Sequence, residues 1–274
     1  MSEYGAEEPL AIDLPKSLKA TRLGAIAHLR LARSEKRNAL DDVTVLGLEA
    51  FFTNLPREIR AVVLTGEGAH FSAGLDLSEV AEAKDPFLGV KHSRMWHRAF
   101  EAIQFGPAPV VTVLHGAVVG GGLELAASTH IRVAERSAYY GLPEGQRGIF
   151  LGGGGSVRIS RLIGVARVQD MMLTGRTLNA EEGHIAGVAQ YLVDDGQGLA
   201  TAMKIAAKAA SNTLTTNFAV THALPRIYES NPTSGLLTES LMAAIAETGD
   251  EPLLGVESTA GQHHVLHPRD ADQP

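Results

Sequence analysis

The 274-residue chain reads as an α/β protein, a set of repeated ββα units followed by a helical C-terminal region. Three observations predict this. Short β-branched apolar runs alternate with helix-patterned segments as far as about residue 195. Beyond that point nearly everything is helical in pattern. Glycines mark the crossings from strand to helix, as at Gly120, Gly121 and Gly122. No exact internal repeat or low-complexity linker divides the chain. The expected organisation is a tail over 1–16, a ββα core over 17–195, a helical region over 196–254 for oligomer contacts and site cover, and a second tail over 255–274.

Taken in order, residues 1–16 hold two prolines and several acids and read as a mobile tail or an arm across a neighbour. The runs LKATRLG and AIAHLRLA follow as two strands with Gly24 as the hairpin turn. SEKRNALDDVTVLGLEAFFTNLP turns into a helix whose apolar Val43, Leu46, Leu48, Phe51 and Phe52 form a broad face. The run 60–65, RAVVLT, is a buried strand ending in the small-residue loop GEGAHFSAGLDLSEV. A long helix over 85–105 carries His92, Trp96, His97 and Phe100, and packing against the core is their first expected role. The run 109–114 is another buried strand, and LELAAS favours a helix directly after the three glycines. Gly152 to Gly155 precede the short helix SVRISRLIG. ARVQDMMLTG and LNAEEGHIAG are helices with glycine stops, VAQYLV is a strand, and LATAMKIAAKAASN, NFAVTHALPRIYES and 233–248 complete the helical end.

Hydrophobic residues make up 45% of the chain and charged residues 20%, the composition of a globular protein able to bury a full core. The net charge of −7 argues against nucleic acid as a partner. With no cysteine there is no disulfide or thiol chemistry. The acidic start, MSEYGAEEPLAIDLP, has neither the apolar core of a secretory signal nor an arginine-rich amphipathic face. No apolar run is long enough for a bilayer, so no membrane contact and a cytoplasmic location are expected.

Two loops, FSAGLDL and VVGGGLEL, share one design: a strand, a small-residue turn and a helix N-terminus. Lying side by side, they would let the N–H of Leu75 and the N–H of Gly121 converge on one oxygen. Such preorganised donors stabilise a developing oxyanion by about 3 to 4 kcal/mol each. Glu124 falls in the first turn of its helix, where the dipole favours a carboxylate and an apolar pocket would raise its pKa. Glu144 stands between Pro143 and Gly145 in a second tight loop. Two carboxylates fixed by turns can divide acid and base work if they meet in space. Other chemistries find no support. His263, His264 and His267 lack metal-ligand spacing, no GxSxG elbow serves Ser72 or Ser156, and neither glycine cluster has a P-loop or Rossmann context. Neither a metal nor a separate cofactor is expected.

Taken together, EKRNAL, LTGEGAHFSAGLDL, PVVTVLHGAVVGGGLELA, YYGLPE, GGGGSVRISRLIG and MLTGRTLNAEEG resemble the crotonase superfamily, the enoyl-CoA hydratase/isomerase family, over about residues 26–193. The resemblance implies a crotonase-like spiral of ββα units assembled as a homotrimer or hexamer. It implies that Leu75 and Gly121 hold a thioester oxygen and that Glu124 and Glu144 act as a pair on one water to hydrate an enoyl-CoA. Coenzyme A is then part of the acyl-CoA substrate. Ala73, Asp76 and Gly120 fall among the substrate-binding positions, with Trp96 and Tyr140 in the acyl pocket and Lys36 and Arg37, together with Lys91, as phosphate contacts. Trp96, His97, Phe100, Tyr139, Tyr140 and Phe150 hint at a bulky or aryl acyl group. The same resemblance leaves open enoyl-CoA isomerisation, a hydratase-coupled C–C lyase, or a binding protein with vestigial catalysis. Three residues depart from the family pattern: Leu151 replaces a proline, His115 an asparagine and His130 an aspartate. No lysine follows Lys208, so the lysine-bearing C-terminal ending from which the family often contacts the CoA adenine is absent, and which C-terminal residues contact the adenine stays open.

Overall fold

A computed structural model describes residues 7–76, 78 and 85–248. The main sheet runs, in spatial order, β1 (Glu8–Pro9), β2 (Leu18–Leu23), β3 (Ile26–Leu31), β4 (Ala61–Gly66), β5 (Val110–Leu114), β7 (Ile131–Glu135) and β10 (Tyr191–Val193). A smaller sheet has the order β6 (Ala117–Val119), β8 (Tyr139–Gly141) and β9 (Leu178–Asn179). The β2–β3 hairpin turns at Gly24, and from β3 to β10 every pairing in the main sheet is parallel.

A parallel sheet is buried on both faces, which is why its strands read as continuous apolar runs. In β4, Val62 and Leu64 face one core with Leu48, Phe51 and Phe52 of α1 (Asp42–Thr53) and Trp96, Phe100 and Ile103 of α2 (Pro86–Gln104). Ala61 and Val63 face the other core, closed by Ala202, Met203, Ala206 and Ala210 of α7 (Gly198–Ser211). The helical region expected from residue 196 therefore begins with a helix belonging to the sheet's own core. The remaining helices are α3 (Gly121–Ala127), α4 (Gly155–Ile163), α5 (Val165–Thr174), α6 (Ala180–Ala186), α8 (Leu214–Phe218), α9 (Leu224–Glu229) and α10 (Pro232–Glu247). A π-helical turn, Ala219–Ala223, joins α8 to α9. No helix among the described residues is long and apolar enough to cross a membrane.

Local signals explain the helix ends. Asp41 caps α1 through Thr44 N, Asp85 caps α2 through Phe87 N with Pro86 just inside, and Asn179 and Glu182 form a capping box on α6. Two sequence readings are corrected. Val43 and Leu46 are 58% and 43% exposed; the buried stripe of α1 is Thr44, Val45, Leu48, Phe51 and Phe52, the residues that helical spacing places together. Residues 7–16 do not stand off as an arm. Glu8 and Pro9 pair with Arg22 and Thr21 of β2, and Leu10 is buried in the core. The expected tail over 255–274 lies outside the described residues.

Candidate active site

Helix α3 is short and every residue in it is buried. It starts at Gly120, whose φ of 54° belongs to the left-handed region and whose amide donates to Gly141 O at 2.9 Å. The start of the helix is thereby anchored to the end of β8, three residues before Glu144. Glu124, in the first turn, is buried, and its Oε1 accepts hydrogen bonds from Gly153 N and Gly155 N, both at 2.8 Å. This accounts for the glycine run before α4. A Cβ on Gly155 would stand 2.6 Å from Glu124 Cγ, so only a bare backbone brings its amide to the carboxylate. Arg158 steadies the loop from behind, donating to Gly153 O at 3.0 Å and to Gln104 Oε1 at 2.6 Å.

Burial pushes the Glu124 carboxyl up to about 7; the charge of Glu144 adds to the shift, while the two amides and Arg158 oppose it. Glu144, at the head of the 3-10 turn Gly145–Arg147, is also buried. Burial raises its pKa as well, against the pull of its own backbone amide and of Arg147. Its Oε2 is buried with no hydrogen-bond partner among the described residues. Both carboxylates line one cleft of about 510 Å³, together with Leu75, Trp96 and Gly121.

The two small-residue loops do meet. A parallel bridge pairs Leu40 with Leu75 and another pairs Ser72 with Val118, so the FSAGLD loop is stitched to β6 just before α3. Ser72 Oγ donates to Asn38 O at 2.8 Å and accepts from Gly74 N at 3.2 Å. Contact is close enough to demand glycine: a Cβ on Gly74, where φ is 90°, would lie 2.5 Å from Val119 O and 3.0 Å from Gly121 N. A Cβ on Gly121 would lie 3.3 Å from Leu75 N and 2.8 Å from the Trp96 ring. Neither the Leu75 nor the Gly121 amide has an acceptor among the described residues.

A narrow space of about 20 Å³, lined by Ala73, Gly120, Pro143 and Arg147, adjoins the cleft and shares Leu75, Gly121, Glu144 and Ile149 with it. Beyond it lies an open hollow of about 360 Å³ bordered by Lys36, Arg37 and Arg147, with Glu35 and Asp76 among them. Asp76 is spoken for. Ser78 donates to one carboxylate oxygen, Arg33 at 2.8 Å and Lys36 at 3.2 Å donate to the other, and together they hold its carboxyl well below the usual range.

The remaining expected residues separate. Trp96 lines the cleft edge-on to Phe100, which lies behind it in the core. Phe150 lines the cleft and is largely exposed. Tyr140 is corrected: it is fully buried with its ring against Gly183 of α6, and it does not border the cleft. Alternation along β8 decides this, leaving Tyr139 part-exposed on the opposite face. Lys91 lies over the Phe87 ring, 5.1 Å from its centroid. His130 accepts from Val110 N and donates to Gln104 O, and His115 bonds Gly68 O at 3.1 Å, so both work as ties between segments.

Sequence reasoning missed the amides of Gly153 and Gly155, Arg147 at the hollow, and a His92–Asp42 hydrogen bond within the cleft. The glycine run signalled a turn without naming its partner, and nothing local links residues 42 and 92.

A family model described as Enoyl-CoA hydratase/isomerase matches residues 21–250. A crystal structure from Rhodopseudomonas palustris CGA009, described as a proposed enoyl-CoA hydratase, is 53% identical with a TM-score of 0.83, covering 87% of this chain and 92% of that one. The short-chain-enoyl-CoA hydratase of Clostridium acetobutylicum is 32% identical over 192 residues, 69% of this chain and 73% of that protein. The peroxisomal fatty acid beta-oxidation multifunctional protein AIM1 of Arabidopsis thaliana is 35% identical over 61% of this chain, which spans only 24% of that longer relative.

Proposed function

The chain belongs to the enoyl-CoA hydratase/isomerase family, and from that premise we propose that it is an acyl-CoA hydratase, adding water across the α,β double bond of an enoyl-CoA thioester. The observation that carries this reading is the pair of buried glutamates on one cleft, both with raised pKa, one of them with an oxygen that has no partner among the described residues. A hydratase needs one carboxylate ionised to take a proton and one protonated to give one, and raising both pKa values brings that mixed state toward neutral pH.

The reaction then runs as follows. The thioester oxygen sits between the amides of Leu75 and Gly121. Water, oriented by Glu124 and Glu144, attacks the β-carbon while the double-bond electrons move toward the thioester carbonyl. The ionised carboxylate takes the water's proton, the amides stabilise the enolate oxygen, and the protonated carboxyl delivers its proton to the α-carbon. One proton enters the pair and one leaves it, so the site is restored. The apparent pKa values belong to the pair and not to either residue. The CoA leaves the cleft past Ala73 and Gly120 toward the hollow, where Lys36, Arg37 and Arg147 supply charge for its phosphates.

Homo-oligomeric assembly belongs to the same reading. Helices α8 to α10 expose Phe218, Leu224, Tyr228, Leu236, Leu237, Leu241 and Ile245, an apolar surface of the kind that a second copy covers.

The test is absorbance loss of crotonyl-CoA and cinnamoyl-CoA, with Glu124→Gln and Glu144→Gln beside the unsubstituted enzyme. Hydration of either thioester that collapses in both variants is the expected result. Tight binding of both esters without turnover would overturn the hydratase reading in favour of isomerase or lyase chemistry.

A further inference from the structure

The acyl end of the cleft is not purely apolar. It extends along α2 from Trp96 toward the helix N-terminus, and its lining there includes His92 and Asp85 beside Leu88, with Asp42 contributed by the first turn of α1. His92 lies four residues before Trp96, one helical turn or about 6 Å further along α2 from the Trp96 ring, which stands where a Cβ on Gly121 would meet it at 2.8 Å. Its ring rests 5.9 Å from the Trp96 ring, and its Nε2 donates to Asp42 Oδ1 at 2.8 Å. Nδ1 has no hydrogen-bond partner among the described residues. An imidazole with one nitrogen fixed by a carboxylate presents the other in a defined direction.

We propose that His92, oriented by Asp42, recognises a hydroxyl on the acyl group about one helical turn beyond the reacting carbons, so that the preferred substrates are hydroxylated enoyl-CoA thioesters. A hydroxyl both donates and accepts, so it satisfies Nδ1 in the neutral ring and Nδ1–H in the protonated one. A terminal carboxylate does not fit, because Asp42 and Asp85 border the same end. A plain alkyl or phenyl end leaves the imidazole nitrogen desolvated and unpaired, which costs affinity. A para-hydroxyphenyl group and a hydroxyl four or five bonds past the β-carbon both span the distance.

The proposal rests on the hydratase reading for the direction in which the acyl chain leaves the glutamates. Its test is therefore a binding measurement that needs no turnover. Trp96 is the sole tryptophan and borders the site, so its fluorescence reports occupancy. Two saturated, unreactive pairs are titrated: 3-(4-hydroxyphenyl)propionyl-CoA against 3-phenylpropionyl-CoA, and 7-hydroxyheptanoyl-CoA against heptanoyl-CoA. The expected result is about tenfold tighter binding of the hydroxylated member of at least one pair. Which pair shows it assigns the aryl or the alkyl source. The preference should vanish in His92→Phe, shrink in Asp42→Asn and survive in part in His92→Gln. Equal affinities within both pairs, or a preference that persists in His92→Phe, would overturn the proposal. Hydration of cinnamoyl-CoA by the unsubstituted enzyme, run alongside, decides the hydratase reading independently.

Discussion

Glu124 and Glu144 are the same residue type on one cleft, yet the chain holds them in opposite ways. Glu124 sits in a fully buried helix, with Oε1 gripped by two amides of a loop that Arg158 braces from behind. Glu144 rides at the head of a 3-10 turn backed by Met172 of α5, and its Oε2 has no hydrogen-bond partner among the described residues. Burial raises both pKa values, but only Glu124 gains from Glu144's charge and loses to two amides at once. The contrast teaches that orientation and reactivity are separable. Amide donors fix where the Glu124 carboxylate points, and the unpartnered Glu144 oxygen is the one that the hydratase reading assigns to the water.

The comparison breaks first at the carboxylates themselves. Glu124→Gln and Glu144→Gln should each lower kcat by about 100-fold to 10,000-fold, with little change in KM. If the two act on one water, the double variant should be scarcely worse than the poorer single one; multiplying losses in steady-state kinetics would show separate roles.

Gly155→Ala probes the grip on one carboxylate alone. Its Cβ meets Glu124 Cγ at 2.6 Å, so the amide must retreat. A loss in kcat of about 10-fold to 100-fold is expected, with circular dichroism checking that α4 persists. Gly148→Ala serves as the contrast on Glu144's side. A Cβ there has nothing within 4 Å, and strain at its φ of 67° is the main consequence, so it should lower Tm more than kcat.

Stability sharpens the contrast further. The folded state binds a proton on Glu124 more tightly than the unfolded chain does, because its pKa rises from the usual 4.5 to about 7. Stability from this group is thus fully present below about pH 4.5, falls as pH rises, and is lost above about pH 7. Glu124→Gln removes the buried charge. It should raise stability at pH 8 by up to about 3 kcal/mol, the gap closing by pH 4.5, as urea unfolding at the two pH values would show. Glu144→Gln should behave in the same sense.

The smallest expected effect is on the shape of the pH profile. The hydratase reading requires one carboxyl protonated and one ionised, so on it kcat should follow a bell whose falling limb lies near pH 7 and whose rising limb lies above the ordinary glutamate range. Relieving part of the burial by Trp96→Leu should move the falling limb to lower pH.

Much of the architecture was legible before any coordinates. β4 and β5 appear as apolar runs because a parallel sheet buries both faces, β2 and β3 are marked by the Gly24 turn between them, and α2 and α6 announce themselves through Asp85–Pro86 and the Asn179–Glu182 box. β6 and β8 were not anticipated. At three residues each they are too short to show a period, and they exist because Ala117 to Val119 pair with Tyr139 to Gly141. That pairing is also what brings the Glu144 turn to the start of α3.

The sequence by itself singled out which groups could do chemistry: a glutamate in the first turn of a helix, another in a tight loop, and two glycine-bearing crossings with exposed amides. These are local properties, set by residue type and by neighbours a few positions away. Only the tertiary structure decided which of them meet. The Glu124 carboxylate finds its donors 29 and 31 residues on, His92 finds Asp42 50 residues back, and Tyr140 turns into the core while Trp96 turns to the cleft. Each of those outcomes follows from strand register and helix packing, which sum contacts over the whole chain, and no short stretch of residues contains that sum.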